Sequence, residues 1–151
     1  MIFDFKPYKS LGPLEFFMTR EQVRQTLPWD HLEMPTAAGS KDKFTDLFDD
    51  KLFVCYDQNS KCIAFELNLE LNLYPNIGKE TIEIFWNGVN LSNMNYHDLL
   101  IYSQSLDDAV VIGAESFDSL KYGYGGWCPD YVDDKLAKSR SLIFFTRGYR
   151  D

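Results

Sequence analysis

The segment from Lys61 to Leu73 constrains the fold more strongly than any other part of the chain. Apolar residues occupy alternate positions along it, and polar or small residues lie between them. The apolar set is Ile63, Phe65, Leu67, Leu69, Leu71 and Leu73, and the intervening set is Ala64, Glu66, Asn68, Glu70 and Asn72. Successive side chains of a β-strand point to opposite faces, so the pattern predicts a strand with one buried and one exposed face.

A hairpin partner for this strand lies immediately before it. Residues 52–56 are apolar, and residues 57–60 (Asp-Gln-Asn-Ser) are turn formers. If Gln58 and Asn59 form a two-residue loop, Cys55 lies opposite Cys62 across the hairpin. We expect these thiols to stay reduced, because the cysteine usage of the chain indicates a reducing compartment.

Two short helices are predicted from their capping residues. Thr19, with Gln22 three positions later, is a capping box that begins a helix over 19–27, which ends before a proline. Asn95 begins a second helix over 96–106 in the same way. Apolar residues at helical spacing give each helix a face to pack on the sheet.

The remaining apolar runs predict further strands. They lie at 82–86, 110–112, 116–124 and 142–146, while 30–50 is interpreted as a loop and 75–78 as a break in the pattern. We therefore predict an α+β fold in a single domain spanning 1–151, with an antiparallel sheet and short helices on one face. Residues 11–73 and 88–124 each contain a helix followed by strands, which indicates two degenerate helix–hairpin repeats.

The chain is acidic and rich in core-forming residues. Its 151 residues are 45% hydrophobic and 16% aromatic, which is enough for one folded domain. The net charge of −8 repels the phosphates of nucleic acid, so we expect no nucleic-acid partner. The same charge attracts a basic protein and speeds its encounter. The alternative interpretation is that acidity serves solubility alone.

Targeting signals and cysteines indicate the compartment. The first residues include Asp4, and no apolar stretch follows Lys6, which is unlike a secretory signal. No apolar run approaches the roughly 20 residues that span a bilayer, so we expect no membrane partner. Three cysteines, an odd number in a chain of this size, indicate reduced thiols. We expect a cytoplasmic protein.

Residues that carry catalysis are sparse. The two histidines, His31 and His97, lie far apart and in no metal-ligand spacing. The three cysteines form no CxxC pair, and a Cys–His site assembled by the fold around Cys128 is the catalytic alternative. The glycine-rich stretch 123–126 lacks the lysine of a phosphate-binding loop. We expect no enzyme activity, no metal and no cofactor.

The first candidate segment for partner binding is acidic. The segment 42–50 contains Asp42, Asp46, Asp49 and Asp50 ahead of a strand, with aromatic residues among them. The spacing of these acids does not match a calcium-binding EF-hand loop. The alternative interpretation is a solvated loop anchored by those aromatic residues. Glu66 and Glu70, on the exposed edge of the long strand, extend the candidate surface.

The second candidate segment combines aromatic residues, glycines and acids. Its proposed partner-binding residues are Tyr122, Tyr124, Trp127, Asp130, Tyr131, Asp133 and Asp134. Tyr and Trp supply large contact areas at small entropic cost, and the glycines at 123–126 predict a flexible loop. The alternative is that Trp127 anchors the core beneath this loop.

The segment 14–28 resembles the pattern F-x-x-G-M-T-x-x-x-V-x-x-x-L-G. That helix-opening motif is found in tandem helix–hairpin proteins such as the β-lactamase-inhibitor-protein and small outer-membrane-lipoprotein folds. Similar openings occur in small bacterial immunity proteins of polymorphic-toxin and contact-dependent growth-inhibition systems. This chain has Phe17 and Pro28 where the motif has glycine. The resemblance implies a binding protein that covers its partner through an exposed sheet face or loops, and no functional residue carries over.

These expectations combine into one functional hypothesis and one alternative. The hypothesis is a cytoplasmic immunity-type inhibitor that binds a cognate basic protein toxin, such as a nuclease, and occludes its active site. The alternative is a small-molecule-binding or regulatory α+β domain that uses a concavity between the sheet and its loops. The sequence predicts no particular oligomeric state.

Overall fold

The computed structural model describes residues 1–73 and 80–151, and it confirms the predicted α+β class. The strands are β1 (Ile2–Lys6), β2 (Ser10–Leu11), β3 (Leu14–Glu15), β4 (His31–Met34), β5 (Phe44–Phe48), β6 (Leu52–Tyr56), β7 (Cys62–Asn68), β8 (Glu83–Trp86), β9 (Val89–Asn90), β10 (Val111–Ile112), β11 (Ser116–Ser119), β12 (Tyr124–Trp127) and β13 (Ser141–Phe145). The helices are α1 (Arg20–Thr26), α2 (Leu69–Leu73) and α3 (Tyr96–Leu106), and Leu91–Asn93 form a 3₁₀ turn. The predicted break at 75–78 lies outside the described residues.

Eight of these strands form one antiparallel sheet, called here the large sheet. Its strand order is β10-β11-β12-β13-β7-β6-β5-β4. It consists of two antiparallel runs, β4 to β7 and β10 to β13, which meet where β7 pairs with β13. At this junction Phe65 lies opposite Phe144, and Leu67 lies opposite Leu142. All four side chains are buried, so both runs contribute to the same core.

A second sheet, called here the small sheet, has the strand order β3-β2-β1-β8-β9. Its strands β1 and β8 run parallel, whereas β1 with β2 and β8 with β9 form hairpins. Each half of the chain therefore contributes a small hairpin, then a helix, then an antiparallel run. This order agrees with the predicted repeat, but the antiparallel runs are longer than predicted. Each run has four strands, whereas the sequence predicts a two-stranded hairpin.

The core lies between the two sheets and is strongly aromatic. Phe5 of the small sheet contacts Phe144 of the large sheet, with 4.7 Å between ring centroids. Helix α1 contributes Val23 and helix α3 contributes Leu99, and both side chains are fully buried in the same cluster. The helices and the small sheet thus cover one face of the large sheet, which matches the predicted placement of the helices.

Both predicted helices begin at their predicted caps. The Thr19 hydroxyl accepts a hydrogen bond from the backbone N–H of Gln22 at 3.1 Å, and the Gln22 side chain accepts one from the Thr19 N–H at 2.8 Å. Asn95 accepts a hydrogen bond from the N–H of Asp98 at 2.8 Å. These bonds satisfy backbone donors that the first turn of a helix leaves unpaired.

The long strand predicted to reach Leu73 is shorter than its pattern implies. Strand β7 ends at Asn68, whose side-chain oxygen accepts a bond from a backbone N–H three residues later, at 3.1 Å. Helix α2 follows, and its Asn72 side chain bonds both backbone groups of Ile82 at 2.7 and 2.8 Å. These side-chain bonds outweigh the alternation, so Glu70 lies on a helix and not on a strand edge.

Two other assignments from the sequence are wrong. The segment 30–50, expected to be a loop, contains β4 and β5. The segment 116–124, expected to be one strand, contains β11, a turn and the start of β12. In β5 the charged residue Asp46 points into the core, which hides the apolar alternation of a strand.

The hairpin of β6 and β7 has a different register from the predicted one. Cys55 lies opposite Ala64, and Cys62 lies opposite Tyr56, because the register shifts between Cys55 and Tyr56. Cys62 belongs to the main core, whereas Cys55 packs with Ala64 and Phe145 on the other side of the sheet. The two thiols therefore lie on opposite faces, and both are free.

Asp46 is buried where α1 packs on the large sheet. Its carboxylate accepts hydrogen bonds from Arg24 at 2.8 Å, from Arg20 at 3.2 Å and from the Tyr56 hydroxyl at 3.2 Å. Burial raises the pKa of Asp46, but the hydrogen bonds and charges of Arg24 and Arg20 outweigh burial and hold that pKa below its ordinary value. Asp46 ties the helix to the sheet, so the prediction that it contacts a partner is wrong.

Replacing Asp46 with Asn should destabilise the fold by about 3 kcal/mol at pH 7, because two arginines lose their counter-charge. The folded pKa of Asp46 is lowered, so its stabilisation is present at neutral pH and is lost as the pH falls through that folded pKa. Urea unfolding at pH 7 and pH 3 measures both effects, and the difference between wild type and variant should narrow at pH 3.

The matched control is Glu33→Gln. Glu33 pairs with the same arginines, at 3.1 Å from Arg24, but its side chain is 66% exposed. Its loss should cost less than about 0.5 kcal/mol. Equal losses in the two variants would show that Asp46 does not hold the helix to the sheet.

Candidate functional site

The face of the large sheet that turns away from the core is called here the open face. Strand register places a row of residues across it, from β5 to β11. The row is Leu47, Phe53, Glu66, Ile143, Gly125 and Asp118. Their neighbours along each strand point into the core, because side chains alternate between faces. All of the row except Gly125 is partly exposed, so the open face runs across both halves of the chain.

Two chain segments cover part of the open face. The segment 146–151 folds back over the sheet, and Tyr149 stacks on Phe145 with 5.8 Å between ring centroids. The Tyr149 hydroxyl donates to Asp42 at 3.0 Å, which connects this segment to the loop before β5. Two cavities lie beside these segments, and Glu66 lines both.

The first cavity has a volume of about 380 Å³. Its walls include Glu66, Ser116, Asp118, Trp127, Ser141 and Arg150. Asp118 forms an ion pair with Arg150 at 3.2 Å. Burial raises the pKa of Asp118, and the neighbouring Arg150 opposes that rise. This cavity therefore combines carboxylates, hydroxyls, a guanidinium and an indole on one surface.

Gly125 creates the space in which the Asp118 carboxylate lies. A Cβ at position 125 would overlap the Asp118 carboxylate and the Phe117 carbonyl oxygen. On the core side, a Cβ at Gly126 would lie 2.9 Å from the Phe117 ring and 3.4 Å from Leu99. Both glycines belong to β12 and are buried, so the prediction of a flexible loop at 123–126 is wrong for these two positions. They are small because side chains from neighbouring elements occupy the space beside them.

The second cavity has a volume of about 230 Å³ and lies between the loop before β5 and the sheet. Its walls include Asp42, Thr45, Phe53, Cys55 and Glu66. The Asp42 Oδ1 atom is buried and accepts no hydrogen bond from residues 1–73 or 80–151. A buried acceptor without a donor is rare and costly in folded proteins.

Glu66 lies between the two cavities, near the centre of the large sheet. Burial raises the pKa of Glu66. The Ser141 hydroxyl and Arg150 act against that rise, and the negative charge of Asp42 adds to it. The sequence predicted Glu66 as an exposed contact, and the structure places its half-buried carboxylate at the meeting point of the cavities.

The acidic segment is not the exposed patch that the sequence predicts. Asp46 is in the core. The Asp49 side chain is only 9% exposed and forms an ion pair with the buried Lys51 at 2.9 Å. Asp49 and Asp50 have φ angles of 52° and 58° and form the turn between β5 and β6. Turns with two residues in this conformation favour Asp, Asn and Gly, which explains the pair of acids structurally. Asp50 is exposed at the end of the sheet.

The aromatic segment divides between the core and the surface. Tyr124 is fully buried, 5.8 Å from Phe5 between ring centroids, so its prediction as a contact is wrong. Tyr122 is half-buried and packs on Trp86 at 4.8 Å. Trp127 is 38% exposed and lines the first cavity, where it can meet a partner.

The remaining candidates lie on other surfaces. Tyr131 packs against Tyr96 at 4.6 Å, and Asp130, Asp133 and Asp134 are exposed on the loop between β12 and β13. Glu70 on α2 is exposed and pairs with Arg140 at 3.4 Å. Of all the predicted residues, the fold brings together Glu66 and Trp127 in one cavity.

Three titratable residues of the first cavity are missing from the sequence-based prediction. They are Asp118, Tyr149 and Arg150, whereas Asp42 belongs to the predicted acidic segment 42–50. The alternation around Phe117, with its neighbours on the opposite face, is the signal that could have placed Asp118 on the exposed side of a strand. Nothing in the sequence indicates that the segment 146–151 returns to the sheet.

The cysteines are poorly suited to nucleophilic chemistry. Burial raises the pKa of Cys55 to about 12, raises that of Cys62 well above its ordinary value and also raises that of Cys128. The thiolate is the reactive form, and such pKa values keep all three residues as thiols near pH 7. Within the part of the chain that the structure describes, no group of three His, Cys, Asp or Glu residues could hold a metal ion.

Replacing Gly125 with Ala should destabilise the fold by about 3 kcal/mol, because the added methyl group displaces the Asp118 carboxylate and strains β12. Gly113→Ala is the matched control, since its nearest neighbour would be the Ser116 hydroxyl at 3.3 Å. The control should change stability by less than about 1 kcal/mol. Urea unfolding measures both, and a Gly125→Ala variant as stable as the control would contradict the assignment.

Replacing Glu66 with Gln should raise the melting temperature at pH 7 and change it little at pH 4. The folded pKa of Glu66 is raised, so its protonated form favours folding at low pH, and that contribution is lost as the pH rises through the folded pKa. Glu70→Gln, which removes an exposed carboxylate, should have little effect at either pH. A Glu66→Gln variant that melts below wild type at pH 7 would contradict this reading.

Comparison with protein-family models, with curated proteins and with solved structures finds no match to this chain. Along residues 1–73 and 80–151, no helix is long and apolar enough to cross a membrane. The functional assignment therefore depends on the geometry and charge of the open face.

Proposed function

We propose that this chain is an immunity-type inhibitor, which binds a basic protein toxin and blocks its active site. One observation carries the proposal: the open face holds half-buried carboxylates and an exposed tryptophan in two adjoining cavities on a chain of net charge −8. Burial raises the pKa of Glu66, and groups with shifted pKa values concentrate at functional sites. The occluding surface would be the open face.

Charge supports a basic protein as the partner. Asp42, Glu66 and Asp118 line the cavities, and Arg150 is the single cation among the residues that line these two cavities in the described structure. An acidic surface speeds encounter with a basic partner and excludes phosphate backbones. The proposal places the protein in a bacterial cytoplasm, where its thiols remain reduced.

A standard protein interface would cover a small part of the exposed surface. The chain exposes 8010 Å² in total, and a standard interface buries about 800 Å² per partner, which is about a tenth of that area. Aromatic residues in a partly desolvated centre supply most of the energy of such interfaces. Trp127 is an aromatic residue of the first cavity and is 38% exposed, so it is available for such a contact.

The backbone at Phe17 also supports the resemblance to immunity proteins. Its φ angle is 69°, a conformation that glycine adopts freely and a bulky residue rarely does. The resembled motif has glycine at this position. Phe17 therefore has a backbone conformation that the glycine of that motif would adopt without strain, and its side chain is 59% exposed.

The same residue favours the second candidate function, small-molecule binding. A groove of about 350 Å³ beside Phe17 is lined by Lys41, Lys43, Ile63 and Arg147. A groove with apolar walls and a few polar groups is typical of small-ligand sites. Binding through the open face does not explain the strained backbone of Phe17, whereas a ligand site beside Phe17 would.

The proposal is tested by capture of the tagged chain from its host at low salt, followed by assay of the captured protein. We expect one basic partner in a 1:1 complex, weakened by salt, whose own activity falls in proportion to the added chain. Trp127→Ala should weaken inhibition at least about tenfold, because it removes an exposed aromatic side chain from the first cavity.

Phe17→Ala is the matched control, since Phe17 is also an exposed aromatic residue but lies at the other groove. Its inhibition constant should stay within about twofold of wild type. If Phe17→Ala weakens inhibition and Trp127→Ala does not, the open face is not the contact surface. If no macromolecule is captured and a small molecule co-purifies, the second candidate function replaces the first.

A further inference from the structure

The open face already holds one guanidinium group, that of Arg150. Its Nε lies 3.2 Å from Asp118 Oδ2, and its Nη2 lies 3.5 Å from Asp118 Oδ1. The guanidinium carbon lies 5.4 Å from the Phe145 ring centre and 5.5 Å from that of Tyr149. A carboxylate with aromatic walls is a favourable environment for arginine, which pairs through its planar fork and stacks on rings. The groups that line the first cavity thus already bind one guanidinium group.

Two further carboxylates beside this pair lack a comparable cation. Within residues 1–73 and 80–151, neither Glu66 nor Asp42 lies within ion-pair distance of a lysine or arginine. Asp42 Oδ1 is buried and accepts no hydrogen bond there, whereas Asp42 Oδ2 accepts one from Tyr149. The Asp42 Oδ1 atom indicates a missing donor, because a buried acceptor costs free energy until a donor reaches it.

The geometry of the cavities identifies the shape of that donor. Glu66 lines both, so a side chain that enters the first cavity beside it also approaches the second. Phe53 lines the second cavity, and Tyr149 lines the first. Aromatic rings at both ends favour a flat cation over the compact ammonium of lysine. A metal ion fits less well, since no three ligand residues cluster among the described residues.

We propose that the two cavities beside Glu66 receive an arginine side chain of the partner, whose guanidinium bonds Glu66 and Asp42. This proposal rests on the proposed function and names the group on the partner that the open face recognises. The bound arginine pairs with Glu66 and Asp42 in the way that Arg150 pairs with Asp118. It gives the buried Asp42 oxygen its donor and keeps Glu66 ionised.

The arrangement makes arginine binding dependent on pH. The titratable groups that share these cavities with Glu66 are Asp42 from the loop before β5, Cys55 on β6, Asp118 on β11, and Tyr149 and Arg150 from the segment 146–151. The Ser141 hydroxyl on β13 also hydrogen-bonds Glu66. Only the ionised form of Glu66 attracts a guanidinium strongly. Affinity should therefore rise as the pH rises through the folded pKa of Glu66, and binding should lower that pKa.

The test uses the full chain and the blocked tripeptide acetyl-Gly-Arg-Gly-amide as probe. NMR titration follows the backbone amide of Glu66 and the indole N–H of Trp127, both of which are in residues that line the first cavity. We expect saturable shifts with a dissociation constant of roughly millimolar size. The citrulline tripeptide, which has the same shape and no charge, should cause no saturable shift.

Two variants locate the site, and a third is the control. Glu66→Gln and Asp42→Asn should each weaken arginine binding by at least about tenfold, through loss of a charged hydrogen bond. Asp98→Asn removes an exposed carboxylate from α3 and should bind as wild type. The amide spectra of the free variants show whether each is folded, and either folded variant suffices to decide.

Three results would overturn the proposal: equal shifts with arginine and citrulline, wild-type affinity in both folded variants, or an affinity that falls as the pH rises from 4 to 7. Its failure is distinguishable from failure of the proposed function. A captured toxin that binds Glu66→Gln as tightly as wild type leaves the inhibitor assignment intact and removes the arginine site. If arginine binds through Glu66 but no macromolecule is captured, the arginine site remains and the inhibitor assignment fails.

Discussion

The pairing of β7 with β13 is the interaction on which the rest of the structure depends. It joins the two antiparallel runs into one large sheet and places Phe65 beside Phe144 in a shared core. On the opposite side, the same pairing brings Glu66 next to Ile143. Without it, the carboxylates of the first and second halves would lie on separate surfaces. The open face is therefore a product of the association of two halves, each of which has its own helix.

Two acids of the large sheet show how environment separates structural from functional roles. Asp46 and Glu66 are both surrounded largely by protein, but only Asp46 is matched by two arginines. Its pKa is lowered, whereas that of Glu66 is raised. The matched acid stabilises the fold by holding α1 on the sheet. Burial of the unmatched acid disfavours its ionised form, which is the expected property of a carboxylate whose counter-charge comes from a partner.

Local signals in the sequence were sufficient for some elements and misleading for others. The caps at Thr19 and Asn95 place both longer helices correctly, because capping bonds form between residues three positions apart. The alternation from Ile63 predicts β7, but it fails beyond Asn68, whose side-chain oxygen accepts a hydrogen bond from the first turn of α2. The sequence did not predict strand β5, because the charged Asp46 interrupts its apolar pattern. The arginine that makes burial of Asp46 possible comes from α1, which is distant in sequence.

Glu66 and Trp127 were predicted contacts, and they lie together in the first cavity. Tyr124 was also predicted as a contact, but it belongs to the core.

The sequence by itself determined the α+β class, the caps of two helices, the central strand and the acidic character of the surface. These follow from periodicity, short-range hydrogen bonds and composition, none of which requires knowledge of distant contacts. Only the tertiary structure decided which acids are neutralised and which are not. Asp118, Arg150 and Asp42 come from three separate segments, and their meeting around Glu66 results from strand register and from the return of the segment 146–151. Charge pairing depends on distances in space, and those distances are set by the packing of the whole chain.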